Sequence, residues 1–307
     1  MKDVKEGFIP VAGGKVWYRI TGTGPGIPLL LLHGGPGMKS SDSDPLQQLG
    51  AERPIIQYDQ LGCGKSERPE DRSLWTVDRY VEELGQVIQA LGLEEVHLLG
   101  HSWGTMLAAS YLFTKPGGVR SVVFSGPALD AQRWERDQRA YLKQFPSQVR
   151  QTIEEHESQG TTDSEDYQEA MMAYYKTHMC RIDPWPNELS EDLEQLNPEV
   201  YNHMWGASEF TVTGTLKQFD ATGRLSEIDI PALFTCGRYD EATPEATEHY
   251  ASLVPDAEFH VFENSSHMPS IEEPEAYVET VREWVNRQEM KRGAYEHANA
   301  VTERNLE

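Results

Sequence analysis

"VHLLGHSWGTML", residues 96–107, sets a short apolar run directly against a helical pattern, with GHSWG at 100–104 as the joint. The joint fits G-x-S-x-G. Between a strand and a helix this makes a tight elbow. Glycine on both flanks lets the backbone turn sharply and lets strand and helix approach closely, and the turn lifts Ser102 Oγ out of the sheet. Outward from the elbow, PLLLL at 28–32 stops at HGGPG, PIIQY at 54–58 stops at DQLGCG, and SVVFSG spans 121–126. A helical pattern over 76–91 carries Val77, Val81, Leu84, Ile88 and Leu91 on one face. Ahead of these, FIPVA and KVWYRI are broken by Gly13-Gly14 and read as a hairpin. Short apolar strands alternating with helices, with glycine loops at the strand ends, predict an α/β fold: a mostly parallel central sheet with helices on both faces.

Composition then shifts. From 128 to 222 the chain is polar, charged and helical in pattern, and strand-like runs resume only at IPALFTC, 230–236, and AEFHVF, 257–262. The expected organisation is a core first part over 1–127, an inserted helical cap over 128–222, a core second part over 223–288 and a polar C-terminal tail over 289–307. An amphipathic helix over about 274–288 closes the core, with Tyr277, Val281 and Trp284 spaced to pack on the sheet.

The 307 residues suffice for a sizeable core, and 38% hydrophobic with 25% charged residues is ordinary for a globular protein. A net charge of −23 disfavours nucleic acid and anionic membrane as partners. No apolar run is long enough to span a membrane, and MKDVKEGF has no apolar signal core, so the expected location is cytoplasmic. Cys63, Cys180 and Cys236 are widely spaced and suggest neither a disulfide framework nor a metal site.

A serine nucleophile needs a base, and the base an orienting acid. In α/β-hydrolases these follow the serine in the order acid, then histidine. Asp240 in GRYDEATP (237–244) and His267 in ENSSHMPS (263–270) both occupy loops after strand-like runs, where a parallel sheet collects its site residues. His260 falls inside a strand, His249 in a helical stretch, and His101 adjoins the nucleophile, so its side chain is expected to point elsewhere. HGGPG at 33–37 can aim backbone N–H groups at a developing oxyanion, with Gly35 favoured over Gly34, and the N–H of Trp103 completes the hole. Asp59 and Cys63 are expected to shape the loop beside the site, where a thiol would make the enzyme sensitive to alkylation by crowding.

HGGPG, YDQLGCGKS at 58–66, GHSWG, GRYDEATP and SSHMPSIEEPEAY at 265–277 together resemble the proline iminopeptidase (prolyl aminopeptidase) family of α/β-hydrolases, over almost the whole chain. The stretch GASEFTVTGTLKQFD, 206–220, further resembles the tricorn-interacting aminopeptidases of that family. Thr105 departs from the pattern, where many relatives carry a second glycine. The resemblance implies a serine aminopeptidase that removes one residue, often proline, from a free N-terminus without metal or cofactor. It also implies that Glu241, beside the acid Asp240, and Glu209 in the cap hold the substrate ammonium. The expected partner is a peptide or small amino-acid derivative with a free amine.

Read without the resemblance, Glu241 is equally a helix-end acid ahead of Pro244, and Glu209 a solvated cap acid. Trp134, Tyr174, Tyr175, Trp185 and Trp205 are candidate pocket walls or cap core. The alternative function is an esterase, lactonase or amino-acid amidase with the same triad. A non-catalytic hydrolase fold would call for a broken triad or oxyanion loop, and all the parts are present.

Overall fold

The computed structural model describes residues 3–304, with side chains through 291. The chain begins with a hairpin, β1 (Val4–Val11) and β2 (Gly14–Thr21), pairing Phe8 with Trp17 and turning at Gly13, whose φ of +93° suits glycine. β3 (Leu29–Leu32) is four leucines, all buried, as a strand covered on both faces requires. β4 (Ile55–Tyr58) follows, then α1 (Val77–Ala90), whose N-cap Thr76 accepts a bond from the N–H of Arg79. Next come β5 (Val96–His101), α2 (Trp103–Leu112) and β6 (Val119–Ser125). A helical region is inserted here: α3 (Ala131–Leu142), α4 (Ser147–Gln159), α5 (Glu165–His178), α6 (Asn187–Glu194) and α7 (Pro198–Met204). The core resumes with β7 (Ala232–Gly237), α8 (Pro244–Ser252), β8 (Ala257–Phe262), α9 (Pro269–Glu272) and α10 (Pro274–Arg304).

The sheet order is β1-β2-β4-β3-β5-β6-β7-β8. β2 runs antiparallel to β1 and β4, and every pairing from β4 to β8 is parallel. Strand alternation divides the core between two faces. Leu30, Leu32, Leu98, Val122 and Phe124 pack on the side of α1 and α2, while Leu29, Leu31, Leu99, Val123 and Leu233 meet Tyr277, Val278, Val281, Trp284 and Val285 of α10. The inserted region has a small core of its own, built from Leu142, Ile153, Tyr167, Met171, Tyr174 and Phe210. Its two ends are side by side: Asp130 bridges Asp220, with Ala131 N–H on the carbonyl of Phe219 (3.0 Å) and Ala221 N–H on that of Leu129 (2.9 Å). No helix among the described residues is long and apolar enough to cross a membrane.

α10 runs past the end that its apolar spacing suggests. The expected polar tail over 289–307 is helical as far as Arg304, and 305–307 lie outside the described residues. Amphipathic spacing detects only the part of a helix that packs. Beyond Gln288 the sequence contains no proline and is rich in strong helix formers.

Helix α10 is pinned beneath the sheet by a polar cluster. Arg53, almost fully buried, donates to Glu289, to Asn286 and to the carbonyl of Ile27 (3.1 Å); His97 Nε2 lies 3.4 Å from Glu289 and its Nδ1 2.7 Å from Ser121 Oγ. Burial alone would raise the Glu289 pKa, but hydrogen bonds from His97 and Arg53, and the charge of Arg53, hold it down to about 2. The carboxylate therefore stabilises the fold above its ordinary pKa of 4.5, and that contribution is lost as pH falls toward 2. Glu289→Ala leaves a buried guanidinium without its counter-charge and is expected to cost about 2–4 kcal/mol in urea unfolding at pH 7. A change below about 0.5 kcal/mol would mean that the cluster contributes no net stability.

Candidate active site

The elbow forms as its glycines require. A side chain on Gly100 would meet the carbonyl oxygen of Gly104 at 2.3 Å, and one on Gly104 would meet that of Leu32 at 2.1 Å. Ser102 has φ 53° and ψ −121°, a backbone region that L residues avoid, and its side chain makes no cap bond to α2. Its N–H donates to the carbonyl of Ser125 (3.0 Å), and its carbonyl accepts from the N–H of Thr105 (2.8 Å) and from Thr105 Oγ1 (2.6 Å). Thr105 Oγ1 also accepts from the N–H of Ala128 (3.1 Å). The departure at 105 thus ties the segment after β6 to the elbow.

Ser102, Gly35, Trp103, His267, Glu209 and Glu241 all line one cavity of about 530 Å³ between the sheet and the inserted helices. Asp240, completely buried, lies behind His267, with Oδ1 2.6 Å from His267 Nδ1. Asp240 also accepts from the N–H of Ala242 at Oδ1 (2.7 Å) and from that of Gly237 at Oδ2 (3.1 Å), so its carboxylate cannot swing away. In the neutral ring, a carboxylate at Nδ1 fixes the proton there and leaves Nε2 free.

The glycine loop is held by residues that motif reading passed over. The N–H of Gln60 donates to His33 Nε2 (3.0 Å), so Nδ1 carries the ring proton and donates to the carbonyl of Gly34 (2.9 Å). That carbonyl belongs to the same planar peptide as the N–H of Gly35, which must therefore point the opposite way. Gly35 has φ +109°, and a side chain there would meet the backbone nitrogens of Gly37 and Met38 at 2.7 Å. The Gln60 side chain also accepts from the indole of Trp103 (2.8 Å), linking both candidate oxyanion donors. Asp59 shapes the same loop, taking the N–H groups of Ser40 and Lys65 (both 2.8 Å).

Glu209 and Glu241 are not solvated acids: they are 9% and 4% exposed. Glu209 accepts from the hydroxyl of Tyr201 and from the indole of Trp134 (3.2 Å). Glu241 Oε1 has no hydrogen-bond partner among the described residues. Its main chain is anchored from the inserted region, since Gln138 Nε2 donates to its carbonyl (2.8 Å). Burial, opposed in part by the Tyr201 bond, raises the pKa of Glu209. Burial and then the charge of Glu209 raise that of Glu241. Burial opposes charge on His267, but the charge and hydrogen bond of Asp240, followed by Glu241 and Glu209, carry its pKa up to about 9.

Of the candidate aromatic walls, Trp134, Tyr175 and Trp205 line the cavity. Tyr174 instead packs in the inserted region's core, and Trp185 donates to the carbonyl of Cys180 (2.8 Å). Tyr201 joins the lining without a sequence signal of its own. His101 does not point away as expected: it lines the cavity, its ring lies 4.6 Å from that of His267, and Nε2 donates to the His267 carbonyl (2.9 Å). Burial and the neighbouring His267 push its pKa down to about 3, so it stays neutral.

The model of the family described as "alpha/beta hydrolase fold" matches residues 27–274. A proline iminopeptidase of Heyndrickxia coagulans is 53% identical over 283 residues, covering 92% of this chain and 98% of the relative. The chain belongs to the proline iminopeptidase family of α/β-hydrolases. Among solved structures, VinJ superposes with a TM-score of 0.89 at 35% identity, covering 92% of this chain and 99% of VinJ. The proline iminopeptidase of Mycobacterium smegmatis superposes at 0.86 with 32% identity, covering 94% and 99%.

The thiols are less accessible than the sequence suggests. Cys63 lies outside the cavity lining, and Cys63, Cys180 and Cys236 are all buried and unpaired. Burial raises all three pKa values, that of Cys180 to about 11. Iodoacetamide at neutral pH is therefore expected to leave the native enzyme unlabelled and active, and to label all three cysteines after denaturation. Stoichiometric native labelling with loss of activity would restore the crowding reading for Cys63.

Proposed function

We propose that this protein is a serine aminopeptidase that releases an N-terminal residue, proline first among them, from peptides or small amino-acid derivatives with a free amine. The single observation that carries this reading is the pair of buried carboxylates, Glu209 and Glu241, facing the same cavity as Ser102, with Glu241 Oε1 left unpartnered. A desolvated acid pair is costly unless a cation completes it, and a substrate ammonium is that cation.

In this mechanism Ser102 Oγ attacks the carbonyl carbon of residue one, and its proton passes to His267 Nε2. Asp240 holds the imidazole in the required tautomer and stabilises the imidazolium. The N–H groups of Gly35 and Trp103 receive the oxyanion. His267 then protonates the leaving amine, and water, deprotonated by the same histidine, releases the amino acid from the acyl-enzyme. The parts named are side chains and main-chain amides, and none requires a cofactor. Unpaired, buried thiols fit a reducing compartment, which supports assignment to the cytoplasm.

An esterase or lactonase would use the same triad but gives Glu209 and Glu241 no ligand, whereas an amino-acid amidase would use both and differs in accepting no peptide. The test compares a proline anilide with its N-acetylated twin. Turnover confined to the free amine supports the aminopeptidase, and equal turnover of the two overturns it.

A further inference from the structure

We propose that His178, the last residue of α5 in the inserted region, is a positioning residue that clamps the acid-bearing and base-bearing loops of the core into one working pair. This inference rests on the proposed Ser102–His267–Asp240 triad.

Two bonds from this one residue reach the two loops. The ring Nδ1 lies 2.8 Å from the carbonyl oxygen of Tyr239, the residue before Asp240. A carbonyl only accepts, so Nδ1 carries the proton and donates. The main-chain carbonyl of His178 accepts from the N–H of His267 at 3.1 Å. That carbonyl is one of the last in α5, which have no partner within the helix, so the base residue's own amide satisfies it. The arrangement also sets the negative end of the helix dipole, about half an elementary charge, against the residue that becomes an imidazolium.

The ring has little freedom to drift. It stacks on Tyr141 of α3, with centroids 4.0 Å apart and planes 14° from parallel, and it also touches Tyr174 and Phe145. The residues that follow strengthen the same contact. The Arg181 guanidinium sits 3.6 Å from the centroid of the Tyr239 ring. The N–H of Arg181 donates to Glu272 Oε1 (2.8 Å), and Glu272 Oε2 accepts from the N–H of Ser266 (2.7 Å), the neighbour of His267. The loops are also joined directly, by the N–H of Tyr239 on the carbonyl of Ser265 (3.0 Å). The end of α5 thus closes a ring of bonds around the acid–base pair from outside the core. An inserted helix whose last turn holds both loops can transmit its own position to the triad.

Asparagine can place an N–H where imidazole Nδ1 sits, glutamine reaches further out, and alanine has no donor. His178→Ala and His178→Gln are expected to lower kcat for a proline anilide about tenfold to a hundredfold, with KM changed less than about threefold. Their pH–rate profiles should show a displaced acid limb, because the Asp240–His267 contact sets the basicity of His267. His178→Asn should restore kcat to within about threefold of wild type, together with the wild-type pH profile.

Wild-type kinetics and pH profile in both the alanine and glutamine variants would overturn the clamp, and so would failure of asparagine to restore them. If the alanine variant does not fold, the asparagine–glutamine pair carries the test. Ser102→Ala serves as the control in the same assay. Retained activity there overturns the triad itself, whereas a dead serine variant beside wild-type-like His178 variants overturns only the clamp.

Discussion

Ser102→Ala is expected to lower kcat for a proline anilide by about 10⁴-fold or more, with the folded structure intact. The effect is large because the other groups proposed for the reaction assist this oxygen: His267 receives its proton, Asp240 serves His267, and the two amides bind the oxyanion that its attack creates. The position is also strained. With φ 53° and ψ −121°, Ser102 sits where only glycine is at ease, and the paired elbow glycines leave no room for the backbone to relax. Alanine keeps that strain and glycine removes it. Ser102→Gly is therefore expected to be equally inactive, yet more stable than Ser102→Ala by about 1 kcal/mol or more, measured by urea unfolding. Residual turnover within about tenfold of wild type in either variant would remove Ser102 from the nucleophile role. Equal stability of the two would mean that the elbow stores no strain.

The parts of this site that were legible in the sequence are those encoded locally. Glycines mark where β3, β5 and β7 stop, and short apolar runs mark the strands themselves, so Ser102, Asp240 and His267 could be assigned to strand-end loops before any coordinates. What was not legible depends on segments distant in sequence meeting in space. Nothing near Tyr201 or Trp134 reveals that both donate to Glu209, and nothing near Gln60 reveals its bond to the Trp103 indole. Tyr174 and Tyr175 look equivalent as neighbours in a helical pattern, but successive residues on a helix point about 100° apart, and only Tyr175 reaches the cavity. Adjacency to the nucleophile does not turn His101 away from the site. Both residues reach the cavity, and the His101 ring is held beside His267 by its bond to the His267 carbonyl. The length of α10 was underestimated because its distal half has helix propensity without an apolar stripe.

Glu241→Gln is expected to lower kcat/KM for the free-amine substrate about tenfold to a hundredfold, the worth of one charge-assisted hydrogen bond. Glutamine keeps the shape and the main-chain anchor to Gln138, so the change is the loss of an ionisable carboxyl whose pKa burial and Glu209 raise to about 8. Its second consequence is in the pH profile. Burial disfavours charge on His267, yet Asp240, then Glu241 and Glu209, raise its pKa to about 9. A cationic histidine cannot accept the serine proton. Removing the negative charge at 241 stabilises the imidazolium less, lowers the pKa of His267, and moves the rising limb of the kcat/KM profile to lower pH. On the proposed reading, the substrate would do the same in the wild-type enzyme. An ammonium bound between Glu209 and Glu241 would neutralise the charge that raises the His267 pKa, so binding of a free N-terminus would itself ready the base. An N-acetylated twin brings no cation and leaves His267 protonated, and it is expected to react at least about a hundredfold more slowly. The variant should narrow that gap from both sides, slowing the free amine and speeding the acetylated twin between about pH 8 and 9, where Glu241 is ionised and His267 still protonated. If KM, the pH limb and the discrimination all stay at wild-type values in Glu241→Gln, Glu241 neither binds the substrate amine nor tunes the base, and Glu209 must do both alone.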